Sequence, residues 1–194
     1  MTYTLYNRLG SGGFAVEAAL TLTGAPFELI DVGTKPRDVL PESFRTTNPL
    51  GQVPVLKTPE GGFMTESGAM LIYLGGAHPE AGLAPTPGSP ENAAYLRWIM
   101  FMSVNLYENL LRVNYPGRYT AGEDPPGVAK AGMKRTAEAF SVIEGALEQG
   151  FLCGDRMNAA DIYLAMFSAW FRVDERLPGC ERITRAVASD PRLA

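Results

Sequence analysis

The sequence predicts a small α/β domain followed by an all-α domain. Three observations carry this. Strand-like and helix-like runs alternate as far as about residue 76. A stretch dense in proline and glycine, HPEAGLAPTPGSPEN (78–92), then interrupts the chain. Beyond it, apolar residues recur at helical spacing.

The elements follow in order. TYTLY (2–6), rich in β-branched and aromatic residues, reads as a strand. GFAVEAALTLTG (13–24) suits a helix stopped by Gly24. PFELIDV (26–32) is a second strand, and residues 36–46 hold a weak helical turn. QVPVLKT (52–58), a turn at Glu60–Gly61–Gly62 and GFMTE (62–66) read as a hairpin. SGAMLIYLGG (67–76) is an apolar helix ended by its two glycines. The order is β-α-β-(α)-β-β-α.

No helix or central strand is expected in 79–90, which reads as a linker between domains 1–78 and 91–194. ENAAYLRWIMFMSVNLYENLLRV (91–113) is apolar on most faces, as a central buried helix should be. Residues 127–149 carry Phe140, Ile143 and Leu147 on one helical stripe. NAADIYLAMFSAWFRV (158–173) is a third long helix, with Asn158 as N-cap and Asp161 placed to reach back to the cap amide. That pair reads as a helix start, without a catalytic role. A short helix covers about 180–189.

Composition narrows the function classes. The 194 residues are 46% hydrophobic, enough for one large domain or two small ones with real cores. Net charge is -4 and no Lys/Arg cluster stands out, which argues against nucleic acid as a partner. MTYTLYNRLG lacks the charged start and apolar run of a signal peptide, and the apolar runs are too short to cross a bilayer. Cys153 and Cys180 have no metal-ligand company and His78 is the single histidine, so no metal site is expected. A reduced, cytoplasmic setting is the expectation.

GQVPVL (51–56) sets a question, because proline cannot donate to a sheet ladder. Two readings of Pro54 stand. A cis Val53–Pro54 bond would turn the backbone of Val53 out of the sheet toward an extended, peptide-like ligand. Alternatively, Pro54 only guards an edge strand against aggregation.

Wider context favours the first reading. NPLGQVPVL (48–56), TESGAMLIYL (65–74) and GDRMNAADIYLAMF (154–167), in that order, resemble the glutathione S-transferase family. The resemblance spans both domains. It implies a thioredoxin-like N-terminal domain that holds glutathione as co-substrate, and a helical domain that supplies most of the second-substrate pocket. It makes Gln52, Val53 and Pro54 part of the glutathione site. It matches Glu66 and Ser67 to the pair that binds the γ-glutamyl ammonium and carboxylate. The second match has a physical account: helix-start amides and a hydroxyl favour an anion, while a carboxylate accepts from an ammonium.

The resemblance places thiol activation near the end of the first strand. Lowering a thiol from about 8.5 by two pH units needs roughly 2.7 kcal/mol. A helix N-terminus supplies about 0.3–1 kcal/mol and a hydroxyl donor to an anion about 1.5–3 kcal/mol, so a hydroxyl is sought. Ser11, in GSGG, is the only serine or threonine between residues 5 and 20 and resembles the serine-type branches. Tyr6 is the rival and resembles the tyrosine-type branches. Gly12 stands where the bacterial cysteine-type branch has its cysteine, which excludes that branch in its usual form. The Gly12–Gly13 helix start offers no second hydroxyl, which predicts weak activation if Ser11 points away.

Asn7, Lys35 and Arg37 are candidates for glutathione's anionic glycyl end, although solvated loop positions explain them as well. Tyr107, Arg112, Tyr115, Arg118 and Tyr119 form an aromatic-basic stretch that the family architecture would set over the thiol, as lining for an apolar electrophile. The leading functional expectation is a detoxifying transferase that joins glutathione to a small hydrophobic electrophile, working as a homodimer. The alternatives are a weakly active or regulatory glutathione-binding protein on the same fold, and a glutathione-dependent isomerase or lyase.

Overall fold

The computed structural model describes residues 2–33, 42–147 and 150–193. Two compact units result, Met1–Ala84 and Pro85–Arg192.

In the first unit, Tyr3, Leu5 and Asn7 alternate with Thr4 and Tyr6 along β1 (Tyr3–Asn7), and the odd-numbered set is the buried one. β2 (Phe27–Asp31) pairs parallel to β1, from Tyr3↔Phe27 to Asn7↔Asp31. β3 (Val55–Lys57) pairs antiparallel on the other side, with Tyr6 opposite Val55, and β4 (Phe63–Met64) completes the order β2-β1-β3-β4. The parallel β1/β2 pair needs a crossover, which α1 (Phe14–Thr23) provides. Gly24 ends α1 in the left-handed conformation, at φ 67, as its position predicts.

Each sheet face has its own core. Leu5 and Leu56 lie fully buried with Ala15, Val16, Ala19 and Leu20 of α1 and Met70, Leu71 and Leu74 of α3 (Ser67–Ala77). On the other face Tyr6, Val32 and Val53 pack around Val55 and Phe44 of α2 (Glu42–Thr47).

The expected stop of α3 at Gly75–Gly76 is corrected: the helix runs through both glycines to Ala77. Gly75 is there for close packing, since a Cβ at that position would lie 2.7 Å from Cβ of Ala84. His78 then ties the helix end to β1. Its Nε2 lies 3.0 Å from the Tyr3 hydroxyl and its Nδ1 lies 3.4 Å from Glu80 Oε1. Burial, with a hydrogen bond to Tyr73, pushes the Tyr3 phenol up to about 12.

The proline-rich stretch also holds more structure than its composition predicts. Residues Pro79–Ala81 form one helical turn, and Pro90 opens α4 (Pro90–Met102). Proline suits the first helical position, where its missing N–H has no partner to lose, and Ser89 caps the helix by accepting from the Asn92 amide at 3.1 Å.

In the second unit, the single long helix expected over 91–113 is instead three segments. α4 gives way to a wider π-type turn at Ser103–Tyr107, and α5 (Glu108–Asn114) follows. The cause is local. Ser103 Oγ donates to the Ile99 carbonyl at 2.9 Å and Asn105 Nδ2 to the Phe101 carbonyl at 3.0 Å, so side chains compete with the backbone ladder. α4 is also less buried than its composition predicts: Leu96, Met100 and Val104 form an exposed stripe at successive i, i+4 positions.

α6 (Pro125–Glu144), α7 (Ala159–Phe171) and α8 (Pro178–Ala188) complete the bundle around Ile99, Met102, Phe140, Ile143 and Phe167. Glu144 closes α6 onto the start of α8, accepting from the amides of Gly179 at 2.7 Å and Cys180 at 2.9 Å. The capping box of α7 forms as its sequence predicts. Gly132 lets α5 and α6 approach closely, because a Cβ there would sit 2.9 Å from the Asn109 carbonyl oxygen. Gly132→Ala should therefore cost about 1–3 kcal/mol despite alanine's better helix propensity. A urea midpoint unchanged or raised by this substitution would contradict that.

Candidate functional site

The first cluster forms where β1 hands over to α1. Asn7, last residue of the strand, belongs to the inward set and is only 5% exposed. Its carboxamide lies under the helix start, where a Cβ on Gly13 would come within 2.0 Å of Asn7 Oδ1. Only glycine leaves that space open. Ser11 Oγ donates to Asn7 Oδ1 at 2.6 Å and accepts from the Gly13 amide at 3.2 Å. Asn7 Nδ2 in turn donates to Glu17 Oε2 at 3.3 Å.

Tyr6 is one residue back and so on the opposite side of the sheet. Its ring packs against Phe44, with centroids 5.9 Å apart. The two candidate activating residues therefore sit in different surroundings. Ser11 is in a half-buried polar loop, and Tyr6 is in an apolar cluster.

The second cluster is the loop into β3. The Val53–Pro54 bond is cis, Pro54 is buried and Val53 is half-buried. Pairing with β1 begins only at Val55, so Val53 precedes the ladder. Asn48, 3% exposed, holds this loop from behind. Its Nδ2 donates to the Gln52 carbonyl, its amide donates to the Phe44 carbonyl at 2.8 Å, and its own carbonyl accepts from Gly51 at 2.8 Å.

The third cluster is the start of α3. Glu66 is exposed and has φ 66 with ψ 99, a region that glycine adopts and that costs another residue about 1–3 kcal/mol. Ser67 begins the helix and is 4% exposed. The strained Glu66 thus immediately precedes the first turn of an 11-residue helix, the end where the helix dipole favours an anion.

Two contributors escape the sequence reading. Glu17 looks like an ordinary first-turn acid, and Asn48 only part of a motif. Asn7, a candidate for the glycyl end or else a solvated loop position, is instead the buried last residue of β1, as the alternation Tyr3, Leu5, Asn7 marks it. Lys35 and Arg37 lie outside the described residues.

In the second unit, Tyr107 contacts Phe167 and Trp170 edge-on, with centroids 5.6 Å away in each case. The Arg112 guanidinium lies 4.7 Å from the Tyr119 ring and that of Arg118 lies 4.1 Å from the Tyr115 ring. Such stacking holds the cations in place while leaving their edges able to donate. Both cysteines are buried, and burial pushes the Cys153 thiol up to about 12 and raises that of Cys180, so neither suits a nucleophile.

A four-stranded sheet with α1 and α3 on one face, followed by a helical unit, is the glutathione transferase fold. Residues 13–82 match the family profile "Glutathione S-transferase, N-terminal domain", and residues 114–188 match "Glutathione S-transferase, C-terminal domain". The chain belongs to the glutathione S-transferase family. Among relatives, it is 27% identical to glutathione S-transferase GstA of Escherichia coli over 92% of this chain and 88% of that one. It is 30% identical to a probable glutathione S-transferase of Zea mays over 85% of this chain and 72% of that one. A sphingomonad glutathione S-transferase, solved in complex with glutathione, superposes with a TM-score of 0.81 at 25% identity, covering 98% of this chain and 94% of that one.

Proposed function

We propose that the protein is a transferase that joins the sulfur of glutathione to a small apolar electrophile. The observation that carries this is Glu66, held at φ 66 just before Ser67 opens α3. Strain of that kind persists where a function needs it. Ser67 and the first-turn amides would take the γ-glutamyl carboxylate, and Glu66 the neighbouring ammonium. The backbone of Val53 would pair with the cysteinyl part, beside Gln52 and Pro54.

That arrangement would bring the thiol to the start of α1, where Ser11 is the proposed donor to the thiolate and Tyr6 the rival. The sulfur lone pair forms the new C–S bond as a leaving group departs with its electrons, or as an activated double bond takes up the pair and later a proton. The electrophile would be small and apolar, and the work would be detoxification.

A second reading has an observation of its own. Ser11 spends its proton on Asn7, which favours a protein that binds glutathione but activates it weakly. A homodimer would cover the exposed Leu96, Met100 and Val104 stripe. Among the described residues no helix is long and apolar enough to cross a membrane, and a cytoplasmic setting suits the free thiols of Cys153 and Cys180.

The test is mass-resolved product formation from glutathione and a panel of apolar halides and activated alkenes. Ser11→Ala should lower turnover several-fold while leaving glutathione's KM in place. Adducts formed no faster than in buffer would leave the binding-only reading standing, and a loss with Tyr6→Phe but not with Ser11→Ala would move the role to Tyr6.

A further inference from the structure

The hydrogen-bond chain at the start of α1 has a direction. Asn7 offers two different edges, an Oδ1 that accepts and an Nδ2 that donates. Nδ2 lies 3.3 Å from Glu17 Oε2, and Oδ1 lies 2.6 Å from Ser11 Oγ. A carboxylate only accepts, so Glu17 draws the NH2 edge to itself. Flipping the amide would set Oδ1 against Oε2, two acceptors with no proton between them. For a side chain 5% exposed, water cannot repair that mismatch.

Oδ1 is thereby fixed toward Ser11. The serine oxygen already accepts from the Gly13 amide at 3.2 Å, so its own proton goes to Asn7. The carboxamide lies directly beside Gly13, in the space that a Cβ there would enter.

Resting on the reading that glutathione's sulfur meets Ser11, we propose that Asn7 and Glu17 are positioning residues that hold the Ser11 proton turned away from the sulfur. In this state Ser11 presents a lone pair, which suits S–H as a donor rather than S⁻ as an acceptor. Activation is then a rotation about the Cβ–Oγ bond that exchanges Asn7 for sulfur as the proton's acceptor. Its net worth is the difference between two hydrogen bonds, not the full value of one. Glu17 acts at one remove, through the amide edge it selects.

Glu17→Ala removes the lock outright, and Glu17→Gln loosens it with little change of shape, because its carboxamide can accept from Asn7 as the carboxylate does or donate to it instead. The introduced carboxamide can donate to Asn7 Oδ1, which lets Asn7 turn its NH2 edge to Ser11 Oγ and frees the serine proton for sulfur. The substitution also removes a negative charge near the thiolate, so it is measured with and without Ser11. The readout is the ultraviolet thiolate band of bound glutathione, titrated on the full chain as wild type, Glu17→Gln, Ser11→Ala and the double variant.

With Ser11 present, Glu17→Gln should lower the thiol pKa by about one pH unit. In the Ser11→Ala background the shift should be less than half as large, since only the charge effect remains. Equal shifts in both backgrounds, or no downward shift with Ser11 present in either Glu17→Gln or Glu17→Ala, would overturn the proposal while leaving glutathione binding intact. Glu17→Ala removes the same acceptor and should show the same dependence on Ser11, which covers a loss of fold by the Glu17→Gln variant. Absence of any saturable thiolate signal in all four chains would instead overturn the glutathione reading, and this proposal with it.

Discussion

Asp161→Ala is expected to destabilise the protein by about 3–5 kcal/mol at pH 5. The Asp161 side chain is fully buried and accepts from the Leu152 amide and the Asn158 amide, both at 2.9 Å. Alanine would strand two buried amides, each costing about 1–3 kcal/mol. Asparagine keeps one acceptor and should fall between. The pH dependence has a definite sign. Burial pushes the Asp161 carboxyl up to about 6, although the backbone amides pull it down. Its folded pKa therefore lies above its unfolded value near 3.8. A raised folded pKa means stability present below about pH 4 that is lost as pH rises through 6, by roughly 3 kcal/mol in all. The gap between wild type and Asp161→Ala should accordingly narrow from pH 5 to pH 8 in urea unfolding. A gap that widens with pH would show that the hydrogen bonds to the carboxylate outweigh its burial.

Ser67→Ala should weaken glutathione binding by roughly 10- to 150-fold, because a hydroxyl bond to a charged carboxylate is worth about 1.5–3 kcal/mol. Its neighbour should behave in a way no simple packing residue does. Glu66→Gly relieves the φ 66 conformation and should raise unfolding stability by about 1 kcal/mol after glycine's entropic cost. The same change removes the acceptor proposed for the ligand's ammonium and should lower affinity. Opposite signs on calorimetric affinity and unfolding midpoint are the expected signature. A Glu66→Gly chain that binds as well as wild type would remove Glu66 from the site, and Ser67→Ala with unchanged affinity would remove Ser67.

Much of the fold is legible in the sequence because local signals and tertiary demands agree. The β-branched and aromatic run of β1, the Gly24 stop and the Asn158–Asp161 box each act within a few residues, and each appears where the sequence places it. The differences arise where a residue type serves a role that composition does not separate from its commoner one. Gly75 looks like a helix terminator, but its lack of a side chain serves contact with Ala84. Pro90 looks like part of a linker and instead starts a helix whose cap is Ser89. The π-type turn at Ser103–Tyr107 depends on side-chain bonds to carbonyls one turn back, which composition alone does not distinguish from solvated polar residues.

The candidate site divides in the same way. Val53, Pro54, Glu66 and Ser67 stand in contiguous motifs and can be read directly. The orientation of Ser11 cannot, because it is set by Asn7 from the preceding strand and by Glu17 from the following helix. A serine in a glycine-rich loop announces a hydroxyl; it does not announce where the proton points.

Glutathione binding by the first unit is the central claim. Titration calorimetry of the full chain with reduced glutathione tests it most directly. The predicted result is saturable binding with a dissociation constant in the millimolar range or tighter, weakened by Ser67→Ala. No saturable heat with wild type at concentrations well above the millimolar range would contradict it.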